Sequence, residues 1–210
     1  MRNRKYLNAL TLATLLAVVV PLVSRPCHAQ EITLTSKMHH LRNLPEREWA
    51  NFPAKAESEA LELKFALRES RADWTLQFRQ EDIKQDWRVK LNGKETGKLH
   101  RDEIDMRISL AIAPGVLRQG ENILRIESAS QRSPDDIRVG EIRLVPGKRE
   151  DILSEATLEV VVYDDTQNPT RTPCRITIVD QGGSLVETGA ASNSELAVRP
   201  GTIYTSTGIA

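Results

Sequence analysis

From Leu61 onward, apolar and polar residues alternate with a period of two, and nothing else in the sequence constrains the fold as strongly. Leu61, Leu63, Phe65 and Leu67 fall on one side, and Glu62, Lys64 and Arg68 on the other; only Ala66 breaks the polar series. Successive side chains of a strand alternate faces, so this run predicts a half-buried strand. Trp74, Leu76 and Phe78 repeat the pattern against Thr75, Gln77 and Arg79, as do Trp87, Val89 and Leu91 against Arg88, Lys90 and Asn92. Asn92-Gly93 follows directly, a strong turn signal because both residues tolerate positive φ. Ile108, Leu110 and Ile112 mark a further strand that stops at Pro114-Gly115. The turn Gln119-Gly120-Glu121-Asn122 leads into Leu124 and Ile126. Asp135-Asp136 opens a last strand through Val139, Ile142 and Leu144, whose alternation slips by one at Gly140-Glu141 and predicts a bulge there. Six or seven short strands parted by turns predict an all-β sandwich. Residues 148–155 could form a turn of helix, but their composition fits a solvated connection better.

The first 29 residues read as an export signal. Arg2, Arg4 and Lys5 precede an apolar run from Leu10 to Val20, and Cys27-His28-Ala29 offers the small residues signal peptidase accepts. Cleavage is expected between Ala29 and Gln30, which places the protein in the periplasm or outside the cell. The apolar run falls short of the ~20 residues of a membrane helix, so an uncleaved anchor is the lesser alternative. Once the leader is removed, no stable membrane insertion is expected. Ser24-Arg25-Pro26 lacks the small and apolar residues that lipidation at Cys27 would use.

The whole chain balances 29 basic against 29 acidic residues. Without the leader's Arg2, Arg4, Lys5 and Arg25 the net charge is about −4, with the signs interspersed. That gives no case for nucleic acid or an anionic membrane surface as partner. Cys174 is the single cysteine left, so no internal disulfide staples the mature chain.

Residues 30–58 read as a leading strand and linker that packs Trp49 and Phe52 onto the module at 59–147. A connection at 148–155 precedes a second β segment, 156–210. There Leu158, Val160 and Val162 alternate, then Cys174, Ile176 and Ile178, before Asp180-Gln181-Gly182-Gly183 turns back into Leu185 and Val186. About 55 residues make a meagre sandwich, and the strands expected to close it are missing.

The 59–147 segment resembles a galactose-binding-like jelly roll, through Trp87-Arg88-Val89-Lys90-Leu91-Asn92-Gly93-Lys94, Leu117-Arg118-Gln119-Gly120-Glu121-Asn122-Ile123-Leu124 and Asp135-Asp136-Ile137. The 156–210 segment resembles the start of a carboxypeptidase-regulatory-like domain, an immunoglobulin-like sandwich. Its carriers are Val160-Val161-Val162-Tyr163-Asp164, Pro173-Cys174-Arg175-Ile176-Thr177-Ile178-Val179-Asp180 and Val198-Arg199-Pro200-Gly201-Thr202-Ile203-Tyr204-Thr205. Together they are similar to the N-terminal region of exported CehA/McbA-like hydrolases, whose metal-dependent catalytic domain has the PHP fold. That resemblance implies a jelly roll followed by a truncated Ig-like domain, with the catalytic domain absent. The family's metal ligands map onto no residue here.

A catalytic metal needs several convergent ligands. His39 and His40 are neighbours that an extended strand would turn opposite ways, and they read as exposed linker residues; His100, beside Arg101 and Asp102, reads as a solvated loop. Cys174, in register with Ile176 and Ile178, reads as a buried small hydrophobe rather than a nucleophile. Asp135 and Asp136 fit a turn that opens a strand, and fit calcium ligation equally well. Trp74 and Trp87 are the candidate ligand-binding residues, since sugars present apolar faces that stack on indole; core or rim packing is the favoured reading of both. No catalytic residue, metal site or cofactor is implied.

The sequence therefore predicts a non-catalytic secreted binding or accessory module, the front end of a hydrolase architecture, with a glycan or an envelope protein as partner. The alternative is a stand-alone adhesion module that completes its sheet with a partner strand in an oligomer. An unrecognised enzyme is the remaining reading.

Overall fold

The structure is a computed structural model and describes residues 30–68 and 73–210. The leader and the Ala29 side of the expected cleavage lie outside the described residues; Gln30 is exposed. Among the described residues no helix is long and apolar enough to cross a membrane.

Eight strands build the first and larger part. They are β1 (Ile32–Arg42), β2 (Ala60–Leu67), β3 (Trp74–Glu81), β4 (Trp87–Leu91), β5 (Lys94–Lys98), β6 (Met106–Ile112), β7 (Gly120–Ser128) and β8 (Asp136–Pro146). One sheet runs in the order β1-β8-β3-β6, the other β2-β7-β4-β5. The first strand thus pairs antiparallel with the eighth, the second with the seventh, the third with the sixth and the fourth with the fifth. This nesting is the wrapping of a jelly roll, two packed sheets made of two Greek keys. The all-β sandwich expected from the alternation is the fold observed.

Between the sheets lie the residues the period-two pattern marks. Leu76, Trp87, Val89, Leu91, Leu124, Ile126, Ile142 and Leu144 are all fully buried. Asn92 and Gly93 both have positive φ and close the β4–β5 hairpin. The expected bulge is present: β3 pairs Gln77 with Arg143 but Arg79 with Gly140, and Glu141 has φ 45. Gly140 is required there, because a Cβ would meet the Lys37 carbonyl oxygen at 2.0 Å.

Two strands depart from expectation. β1 takes up the first part of the expected strand-and-linker region as an eleven-residue strand through Arg42 and pairs along β8. β5, Lys-Glu-Thr-Gly-Lys, carries no large apolar residue and forms the edge of its sheet. Its lysines and its brevity suit an edge that must not recruit another chain.

A single turn of helix, α1 (Arg149–Leu153), leads on to β9 (Cys174–Thr177), β10 (Leu185–Val186), β11 (Leu196–Arg199) and β12 (Thr202–Thr205). β11, β12 and β9 make a three-stranded antiparallel sheet. The strand expected at Leu158–Val162 is not a ladder. Leu158 is 80% exposed, and the run beyond it makes isolated bridges from Val161 to Ile209 and from Tyr163 to Arg171. β10 turns back on Ile178 and Val179 and also lies parallel to β6, with Leu185 beside Met106, so it joins this segment to the jelly-roll sheet. Leu185 is 7% exposed and belongs to the jelly-roll core.

Candidate functional site

The jelly-roll nesting brings four loops to one end of the sandwich: 43–59, 82–86, 99–105 and 129–135. They are tied to each other by main-chain and side-chain hydrogen bonds. Asn43 Nδ2 donates to the carbonyls of Ser130 and Ser133, both at 3.0 Å, and its Oδ1 accepts from Asp135 N at 2.8 Å. Gln85 Nε2 donates to the Ser133 carbonyl at 2.7 Å. Arg101 Nε donates to the Lys84 carbonyl at 3.0 Å, and Ile83 bridges Asp102.

Under these loops lies a buried ionic knot. Asp136 Oδ1 accepts from His40 Nε2 and from Arg42 Nε, both at 2.6 Å, while its Oδ2 accepts from Glu48 N at 2.8 Å. The remaining guanidinium nitrogens of Arg42 hold the Ala54 and Pro53 carbonyls at 3.1 and 2.8 Å. Burial works to raise the Asp136 carboxyl; the Glu48 amide, His40 and Arg42 outweigh it and hold the group below the usual range. Its neighbour behaves oppositely. Asp135 Oδ2 accepts from Trp87 Nε1 at 2.7 Å and from Gln85 N at 3.1 Å, but its buried Oδ1 has no partner among the described residues. Burial pushes the Asp135 carboxyl up despite those donors. Both aspartates are fully buried and committed to joining strands and loops, which is the turn-opening role weighed above against calcium ligation.

The histidines are not exposed linker residues. His39 and His40 are each 8% exposed, on β1. They do part ways: His39 Nδ1 meets Glu57 Oε2 at 3.1 Å, whereas His40 meets Asp136 and stacks on Phe52 with ring centroids 5.1 Å apart. They are buried because each ring has a carboxylate partner from a distant part of the chain. His100 is exposed, as expected. Cys174 is half-buried and free, less enclosed than its register with Ile176 and Ile178 implied, since those isoleucines are themselves only half-buried.

Neither candidate tryptophan can serve as a ligand platform. Trp74 is 5% exposed and Trp87 fully buried, so both rings lie between the sheets with no face open to a ligand. The indole that is exposed is Trp49, at 55%. It was expected to pack beside Phe52; Phe52 does so, under the Arg138 guanidinium, and Trp49 stands outside. Its loop is held firmly. Glu48 on one side exchanges hydrogen bonds with Asp136, and Arg47 Nη1 holds the Ala50 and Phe52 carbonyls on the other. Glu48 Oε2 also lies 3.3 Å from Lys84 Nζ, which contacts Asp82 as well. Lys84 opens onto a shallow hollow of about 400 Å³ with Arg101, Asp102 and Glu103. An exposed indole on a fixed loop, next in sequence to the Glu48 that contacts Lys84, is suited to binding a polar molecule that has an apolar face.

A second ionic chain joins the jelly roll to the segment after it. Arg79 grips Asp105 through Nε and Nη2 at 2.8 and 2.6 Å and reaches Glu141 at 2.8 Å. Glu141 continues to Arg107, whose Nε donates to Asp180. Ser184 Oγ donates to Asp105 Oδ2 at 3.0 Å, and Arg149 spans the Ser109 carbonyl and Glu187. Burial raises the Asp105 carboxyl, and Arg79 and Ser184 more than reverse it. Beside this seam lies a cavity of about 660 Å³ walled mainly by aliphatic side chains.

No family profile matches the chain, and no curated protein matches it. Among solved structures it is similar to the native structure of a family 35 carbohydrate binding module from Clostridium thermocellum. The two share 12% identity over 55% of this chain and 98% of that one, with a TM-score of 0.33.

Proposed function

We propose that the chain is an exported, non-catalytic binding module that takes a glycan at the four-loop end of its jelly roll, with Trp49 as the stacking ring. The observation that carries this reading is that Trp49, the largest side chain of a loop fixed on both sides, is 55% exposed while Phe52, three residues on, is buried. A loop whose main chain is already fixed binds at a smaller ordering cost. Lys84, Arg101 and Asp102 supply donors and acceptors for hydroxyl groups. The groups most able to perform chemistry have other work. His39, His40, Asp135 and Asp136 are buried in contacts that close the fold, which favours binding over catalysis. The division into a jelly roll and a second β segment, and their origin as the front of a CehA/McbA-like hydrolase architecture, belong to the same proposal and rest on the sequence resemblance. A partner-strand adhesion module remains the alternative, pairing at the β9 or β11 edge of the C-terminal sheet rather than at β5, which carries Lys94, Glu95 and Lys98.

Calorimetric titration of a panel of soluble oligosaccharides into the wild type and Trp49→Ala tests the reading. Saturable binding of a panel member, abolished in Trp49→Ala at unchanged melting temperature, is the expected result. Binding that survives Trp49→Ala, or no binding across the panel, overturns it.

A further inference from the structure

Independently of the loop end, we infer that the cavity between the jelly roll and the C-terminal sheet binds a single-chain amphiphile, an acyl chain with an anionic head. Its volume of about 660 Å³ falls within the ~300–1,000 Å³ of small-molecule pockets. Ile152, Val160, Ile176, Ile178, Val186 and Ile203 wall it, on α1, the run after it and the two C-terminal strands β9 and β12 with their neighbours.

The main chain around the cavity decides what can fill it. Val160 exchanges both hydrogen bonds with Ala210, at 2.7 and 3.0 Å. Ile178 N donates to the Gly201 carbonyl and Val186 N to the Ile178 carbonyl, both at 2.9 Å, and Ile203 pairs with Ile176 within the sheet. An extended peptide laid over these groups would find them taken and would bury its own unpaired amides, a cost that an acyl chain does not incur. A helix satisfies its own amides, but one turn with side chains occupies about 500 Å³, so the cavity takes little more than a turn. An acyl chain needs no main-chain partner and suits a mainly aliphatic wall.

One polar feature selects the head group. Arg143 lines the cavity with a side chain 47% exposed; its Nε donates to Gln77 and its Nη1 to Glu31, and its Nη2 makes no hydrogen bond among the described residues. The other guanidinium there, Arg107, is held by both Glu141 and Asp180. A carboxylate at Arg143 with its chain directed inward satisfies both the charge and the aliphatic wall.

Titration calorimetry of the full chain with dodecanoate, decanoate and dodecanol tests the inference. Each buried methylene is worth about fourfold in affinity, so decanoate is expected to bind about 15-fold more weakly than dodecanoate, both at one site per chain. Arg143→Gln should erase the preference for dodecanoate over dodecanol while keeping the chain-length dependence. Ala190→Trp, at an exposed wall position, should weaken all three ligands without lowering the melting temperature. Absent or non-saturable binding, affinity independent of chain length, unchanged binding in Ala190→Trp, or a dimer whose formation excludes dodecanoate overturns the assignment; the last would give the cavity to a second copy of the chain.

Discussion

The Trp87 indole donates to Asp135 Oδ2 across 2.7 Å, joining a strand of one sheet to the residue that opens the last strand of the other. Both residues are fully buried, so the bond is screened by no water. It explains how a carboxyl group and a fully buried indole share one core: the indole N–H and Asp135 Oδ2 satisfy each other.

Trp87→Phe keeps a ring in place and removes the donor. The Asp135 carboxyl then retains the Gln85 amide alone, and the expected loss is about 1–3 kcal/mol. Urea unfolding of the variant against wild type measures it; a loss below a few tenths would contradict a structural role for the pair.

Asp135 and Glu127 should give opposite pH dependences. Burial holds the Asp135 carboxyl above its ordinary value near 3.8, so the folded chain binds that proton more tightly than the unfolded chain. The stability it contributes is complete below that value and is lost as pH rises through the folded-state value. Asp135→Asn should therefore gain on wild type as the pH is raised from about 4 towards 7. Glu127 is held down to about 2 by Lys90 and then Arg125. Its contribution is present above the ordinary 4.5 and disappears as pH falls towards 2, so wild type should lose its advantage over Glu127→Gln in acid. Denaturation curves at stepped pH read both gaps, and a gap moving the other way contradicts the corresponding environment.

Asp136→Ala leaves Arg42, 4% exposed, as a buried charge without its carboxylate, and frees His40 and the Glu48 turn together. A cost of about 3–5 kcal/mol is expected. Glu62→Ala breaks an ion pair with Arg125 in which both side chains are nearly half exposed, and should cost under about 1 kcal/mol. Equal effects in chemical denaturation would contradict the burial assigned to the knot.

Much of the fold was legible because alternation is local. Trp87, Val89 and Leu91 declare a buried face in five residues, and Asn92-Gly93 declares the turn after them. β5 was missed because an edge strand needs no apolar face; the Asn-Gly hairpin alone signalled a returning strand. The site was less legible because it depends on partners far apart in sequence. His40 looks like a solvated residue until Asp136, 96 positions later, lies beside it. Trp49 and Phe52 look equivalent from three residues apart, and only the stack of His40 on Phe52 decides which ring goes in. The pairing of β10 with the β6 edge was equally invisible, since two residues carry no period to read.

Leu185 tests that pairing. It sits in the jelly-roll core though it belongs to the later segment, so Leu185→Ala should cost about 2–5 kcal/mol. The loss should appear in the transition that unfolds the jelly roll, followed by the fluorescence of Trp74 and Trp87. An unshifted tryptophan transition would contradict the packing of β10 on β6.

The pairs His39–Glu57 and His40–Asp136 tie β1 to distant parts of the chain, and the proposed function gives them that structural role alone. Thermal melting of wild type and His40→Gln in EDTA, zinc and manganese tests it most directly. The account predicts one wild-type melting temperature in all three solutions and a uniform decrease in His40→Gln. A metal-dependent rise in the wild type that vanishes in His40→Gln would contradict it.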